Sequence, residues 1–193
     1  PVALFDSANR ANTWRLRSGV DFDFPTNVTL AAGGHALLVS FNPNEPVKLA
    51  TFRARFSVAL DVPVLGPWSG QLANSGESIR LYRPDSPDAG EVPYILGDQI
   101  DYANQLPWPA AADGIGPSLQ RLAESVYGNE PQNWTAVGPS AGLSYVAGGT
   151  PPNVTSQPSA TVAIAGRTAS FSVDVAGTAP FFYQWRFNGV NMY

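Results

Sequence analysis

The stretch PWPAAADGIGPSLQRL, from Pro107 to Leu122, decides how the chain folds. Pro107 and Pro109 fix their own φ and hold the intervening backbone extended, so Trp108 is presented rigidly. Asp113-Gly114 is a strong turn signal, and Asp113 is placed to accept bonds from the backbone N–H groups that follow it. Beyond the turn, Leu119, Leu122, Ala123 and Val126 fit a helical stripe, whereas Ser118 to Leu122 also fits a short strand. A strand is the favoured reading, with a turn of helix after it.

Outward from this stretch the chain reads as short strands between turns. On its N-terminal side, NSGESIRL (Asn74 to Leu81) combines a tight turn, for which Asn74 and Gly76 can take φ > 0, with a strand that points Ile79 and Leu81 inward. SIRLYR (Ser78 to Arg83) and DQIDYA (Asp98 to Ala103) are strands, and RPDSPDAGEVP between them reads as a long loop without a core-forming pattern. In DFDFP, Phe22 and Phe24 alternate with Asp21 and Asp23, so one face is buried and one wet. HALLVSF (His35 to Phe41) is a nearly continuous apolar strand after the hairpin signal Gly33-Gly34. FRARFSV (Phe52 to Val58) alternates with period two and is expected to be a strand. Trp134, in NEPQNW, is expected to close the end of the core.

From Gly138 to Pro158 the composition turns small, polar and Pro/Gly-rich, as a linker should. A new β pattern follows in TVAIAG (Thr161 to Gly166), TASFSVDV (Thr168 to Val175) and FFYQWRFNG (Phe181 to Gly189).

Five pieces in order resemble the lamin tail domain: FDFPTNVTLAAGGHALLV (Phe22 to Val39), WSGQLANSGESIRL (Trp68 to Leu81), DQIDY, PWPAAADGIGPSLQRL and NEPQNW. That resemblance implies an all-β fold, an immunoglobulin-like β-sandwich, over residues 1–140. The family's first strands, with a Trp-Ile-Glu-Leu type run and a later Gly-Trp, have no counterpart here, and VALFDSANRANTW stands in their place. YQWRFNG resembles the third strand of bacterial immunoglobulin-like repeats. The expected organisation is a first sandwich over 1–140, a linker over 141–158 and an incomplete second sandwich over 159–193. About three of seven strands leave one sheet face uncovered, so the second piece is expected to be marginal by itself.

Composition bounds the chemistry. The chain has 193 residues, 44% hydrophobic and 13% charged, which is apolar enough for cores and too apolar for disorder. Gly and Pro total 36, favouring many short strands. One Lys against ten Arg, with net charge −4, makes no phosphate-binding face, so nucleic acid is not an expected partner. Without Cys there are no disulfides or thiolate sites. No window is apolar for long enough to span a bilayer. The chain is read as an excised segment whose targeting signal lies outside it.

Catalysis finds little to work with. The one histidine, His35, sits beside a Gly-Gly turn and reads as a surface or hairpin residue rather than a triad member. No P-loop is present, and none of the fifteen acids has a setting that would raise its pKa. The best chemical alternative is calcium, with Asp98, Asp101 and Asp113 flanking one strand and its turn, and Asp21 with Asp23 as a second pair. Isolated Asp residues at turns more often cap backbone groups. Trp14, Trp68 and Trp108 are candidates to stack on sugar rings, against core packing as the plainer reading. The sequons at Asn27, Asn133 and Asn153 matter only in a glycosylating pathway.

The resemblances together imply a non-catalytic binding or scaffolding segment of a larger secreted or cell-surface bacterial protein. Its role would be adhesion or domain spacing, with an unidentified protein or polysaccharide partner. The alternative is an accessory targeting module of a secreted hydrolase whose catalytic domain lies elsewhere. A lamina-like chromatin role ranks last, because the chain is acidic and lacks heptads. The loops Asn42 to Leu49 and Pro84 to Pro93 are the places expected to hold the ligand.

Overall fold

The computed structural model describes residues 1–114, 116–150, 152–178, 181 and 183–192. Ile115 of the DGIG turn, Pro151 of the linker, Phe182 of the last expected strand and Tyr193 lie outside the described residues. The fold is β-rich, and the chain divides into two compact units, Pro1–Tyr145 and Val146–Tyr193.

The first unit runs β1 (Val2–Ala3), β2 (Arg15–Ser18), β3 (Val20–Asp23), β4 (Thr29–Leu30), β5 (Leu37–Leu38), α1 (Pro46–Phe56), β6 (Val64–Leu65), β7 (Ser69–Gly70), β8 (Gly76–Pro84), β9 (Tyr94–Ala103), β10 (Ser118–Arg121) and β11 (Trp134–Val137). Its centre is an antiparallel five-stranded sheet in the order β7-β3-β2-β8-β9. β1 pairs with β4, β5 runs parallel to β6, and β10 pairs with β11. Leu4, Val20, Phe24, Val39, Val58 and Trp108 form the buried apolar set. Phe22 and Phe24 share a face, edge to face at 5.2 Å, while Asp21 and Asp23 stay exposed, as period two requires.

The PWP stretch acts as a plug. Trp108 is only 6% exposed and its ring lies 6.2 Å from that of Trp134. The Trp134 indole N–H donates to the Gly128 carbonyl at 2.8 Å, satisfying the polar end of a large ring. The ambiguous stretch after it is a strand, with Ser118 opposite Val137 and Arg121 opposite Trp134. At the free edge of β9 one side chain meets the backbone of Asp101. Asn129 accepts the Asp101 backbone N–H at 2.6 Å, as a neighbouring strand would, and donates to the Asp101 side-chain carboxylate at 2.9 Å.

Three expectations for this unit need correction. FRARFSV is not a strand; all but its last two residues lie in α1. Phe52 and Phe56 are two periods apart in a strand but also i and i+4 on a helix, so the same spacing serves both. What decides is upstream: Asn42 makes a side-chain turn with the Asn44 N–H at 3.0 Å and Pro46 takes the first helical turn. Phe41, Phe52 and Phe56 then pack with tilted rings, their centres 5.4 and 5.1 Å apart. The helix ends where Ser57 turns left-handed (φ 51°). The second correction is that the supposed loop 83–93 extends the β8–β9 hairpin. Asp85 N–H reaches Pro93, and Asp88 and Glu91 exchange both backbone bonds at 2.9 Å around Ala89-Gly90. Third, HALLVSF contributes a strand only at Leu37–Leu38.

The second unit contains β12 (Asn153–Ser156) antiparallel to β13 (Asp174–Ala176), and the hairpin β14 (Arg186–Phe187) with β15 (Val190–Asn191). β12 lies inside the range read as linker. The hairpin turns at Asn188-Gly189, both at positive φ. TVAIAG is not a strand, and TASFSVDV is one only at its end, continuing to Ala176. Val162 and Ile164 are 99% and 75% exposed, so nothing rewards an extended conformation there. Phe171 and Trp185 touch at 6.4 Å, but no described residue of this unit is buried.

Candidate functional site

An open groove of about 510 Å³ lies at the β7 edge of the central sheet of the first unit. β2 supplies Arg17, β3 supplies Asp21, Phe22 and Asp23, and the entry to β7 supplies Trp68 and Ser69. Local backbone contacts build it. The Trp68 N–H donates to the Val39 carbonyl at 3.1 Å and the Gln71 N–H to the Gly19 carbonyl at 2.9 Å, pinning the Trp68–Gln71 segment at both ends. Gly66, just before it, allows close approach: a Cβ there would lie 2.5 Å from the Val39 carbonyl oxygen.

Arg17 is anchored rather than free. Its guanidinium donates to the Leu16 carbonyl at 2.7 Å and pairs with Asp23 at 2.6 Å. Asp21 is exposed, and its carboxylate has no hydrogen-bond or ion-pair partner among the described residues. The groove therefore holds an oriented cation, an open carboxylate and two aromatic rings. A second depression of about 270 Å³ brings Phe5, Asp6, Trp14, Arg83 and Asp85 together. It borders the start of the 84–93 hairpin extension, one of the two places expected to hold a ligand. The other, Asn42 to Leu49, is in good part the first turn of α1.

The three calcium candidates are not gathered. Asp98 pairs with Arg121 at 2.6 Å and accepts the Gln99 N–H at 3.0 Å. Asp101 is held by Asn129, Ser78 and, at 3.7 Å, Arg80. Asp113 accepts the Asn104 side-chain amide at 3.1 Å; of the backbone N–H groups expected to reach it, that of Ile115 lies outside the described residues. Among the described residues no group of three or more His, Asp or Glu side chains is placed to hold a metal. Of the three tryptophans, Trp108 is core and is corrected as a sugar-stacking candidate, while Trp14 and Trp68 both line concave surfaces.

Sequence reasoning missed one cluster. His35 Nε2 lies 3.3 Å from Ser144 Oγ and 3.5 Å from Glu124 Oε1, and Ser144 also donates to Glu124. These residues are far apart in the chain, and no spacing signal connects them. A nucleophile relay needs the acid on Nδ1 and the hydroxyl on Nε2. Here both meet the same ring nitrogen, and the carboxylate is 65% exposed. The cluster is built to tie the end of the first unit to the β10–β11 connection.

Tyr102 is pushed up from 10.0 by burial and, secondarily, by the Glu77 charge; its hydroxyl donates to the Ala73 carbonyl at 2.8 Å. No helix among the described residues is long and apolar enough to cross a membrane. No family model matches the chain, and neither curated proteins nor solved structures show a match to it.

Proposed function

We propose that the chain is a non-catalytic binding or scaffolding segment of a secreted or cell-surface bacterial protein, built from a lamin-tail-like, immunoglobulin-like first unit and an immunoglobulin-like second one. The observation that carries this reading is how the first unit uses its polar side chains. Asp98 with Arg121, Asp101 with Asn129, Asn104 with Asp113, and Ser144 with His35 and Glu124 each fasten a connection in place. A chain that commits these groups to holding its loops offers shaped surface rather than a reactive centre. The resemblance, not the geometry, supplies the cell-surface setting and the adhesion or spacing role.

The test is the whole chain applied to arrays of immobilised polysaccharides and bacterial surface proteins. Turnover of chromogenic esters, phosphoesters and glycosides is followed in parallel. Saturable binding without turnover is expected. Saturable turnover that disappears in His35→Ala or Ser144→Ala would overturn the reading, as would the absence of saturable binding on both arrays.

A further inference from the structure

We propose that the groove at the β7 edge is a carbohydrate subsite, with Trp68 as the stacking platform and Asp21 and Arg17 as the hydroxyl-binding pair; this rests on the binding-segment reading above. Three observations converge on it. The groove volume, about 510 Å³, falls within the range of small-ligand sites. It joins aromatic surface, from Trp68 and Phe22, to polar groups of both signs. Its polar groups differ in commitment: Arg17 is fixed by Leu16 and Asp23, whereas the Asp21 carboxylate is open.

The mixture of signs selects the ligand. An anion meets two carboxylates against one guanidinium. A cation finds a single open carboxylate, because Asp23 is taken up by Arg17, and among the described residues no group of three or more His, Asp or Glu side chains is placed to hold a metal. A sugar hydroxyl both donates and accepts, so one hydroxyl satisfies Asp21 while its neighbour accepts from Arg17. The polarised C–H groups on one face of a pyranose ring complement the electron-rich face of an indole. The groove is open, so the ligand is a stretch of polysaccharide lying across the sheet edge, not an enclosed monosaccharide. Ser69 on the short strand β7 adds a hydroxyl at the same rim; its Oγ donates to the Asp21 carbonyl at a long 3.5 Å.

The experiment is titration of the full chain with soluble hexasaccharides of β-1,4-linked glucose, xylose and N-acetylglucosamine. Tryptophan emission and calorimetry are read, with a Lys-rich peptide as the cationic comparison. The chain has five tryptophans, so Trp68→Phe identifies the one that reports. At least one hexasaccharide is expected to bind saturably with an emission shift. Trp68→Ala should weaken binding by about tenfold or more, as loss of a central aromatic anchor does. Asp21→Ala, at an exposed position outside the core, should weaken it similarly with an unchanged melting temperature, which keeps the test valid if Trp68→Ala fails to fold. Hexasaccharide binding that is equal in wild type and Asp21→Ala overturns the groove assignment but leaves the binding-segment reading intact. Binding of the Lys-rich peptide alone, lost in Asp21→Ala, overturns the sugar and makes the groove a cation site. No binding of any hexasaccharide overturns the carbohydrate assignment, and the array experiment then decides the broader reading separately.

Discussion

Gly70 sits at φ +100°, and a Cβ there would lie 2.5 Å from the Gly19 carbonyl oxygen. Both the backbone conformation and the close approach exclude other residues. Gly70→Ala should destabilise the first unit by about 1–3 kcal/mol and disturb the groove rim, read by thermal denaturation and by Trp68 emission. Tyr102 offers a pH test. Its folded pKa is raised, so the native state keeps the phenol proton when the unfolded chain has lost it. Its contribution is therefore fully present below pH 10 and is lost as pH rises through the folded value. Alkaline denaturation should be shallower above pH 10 in Tyr102→Phe, at the cost of about 1 kcal/mol at neutral pH for the lost bond to Ala73. An unchanged alkaline slope would mean Tyr102 is solvated in the native state.

At the scale of elements, α1 shows how a pattern shared by two periods is settled by punctuation. The Asn42 turn, Pro46 at the helix start and Ser57 at its end together select helix over strand, and the tertiary contact of Phe52 with Phe41, beside the i, i+4 pair Phe52–Phe56, holds it. Phe52→Ala should cost about 2 kcal/mol, below the range for a fully buried ring because Phe52 is half-buried, and should lower helical signal in circular dichroism. The end of the β8–β9 hairpin is fastened differently: the Arg15 guanidinium lies 3.3 Å from the Tyr94 ring centre and 5.9 Å from that of Tyr82. Arg15→Ala should loosen that end, measurable as faster amide exchange from Tyr94 to Leu96, while Arg15→Lys recovers only part of the protection, since an ammonium does not stack.

At the scale of the molecule, the two units differ in how much surface they remove from water. The first has an apolar core; the second has two small sheets and aromatic side chains in the open, with Phe187 70% exposed. Residues 1–145 expressed alone should unfold cooperatively, because this unit holds the buried apolar residues. Residues 146–193 alone should show no cooperative transition, because so little burial does not offset backbone entropy. A sharp transition in the shorter piece would contradict this.

The sequence by itself determined the β-rich class, the strand after the Asp113-Gly114 turn and the alternation around Phe22 and Phe24, since turn chemistry and period two are local properties written into a few consecutive residues. It also excluded thiol and P-loop chemistry outright. Tertiary structure alone decided that Trp108 is buried and Trp68 lines a groove, that Asp98, Asp101 and Asp113 go to separate partners, and that His35 meets Glu124 and Ser144. Each of those outcomes depends on which distant segment arrives opposite a side chain, and that is set by strand order and register, which no local spacing encodes.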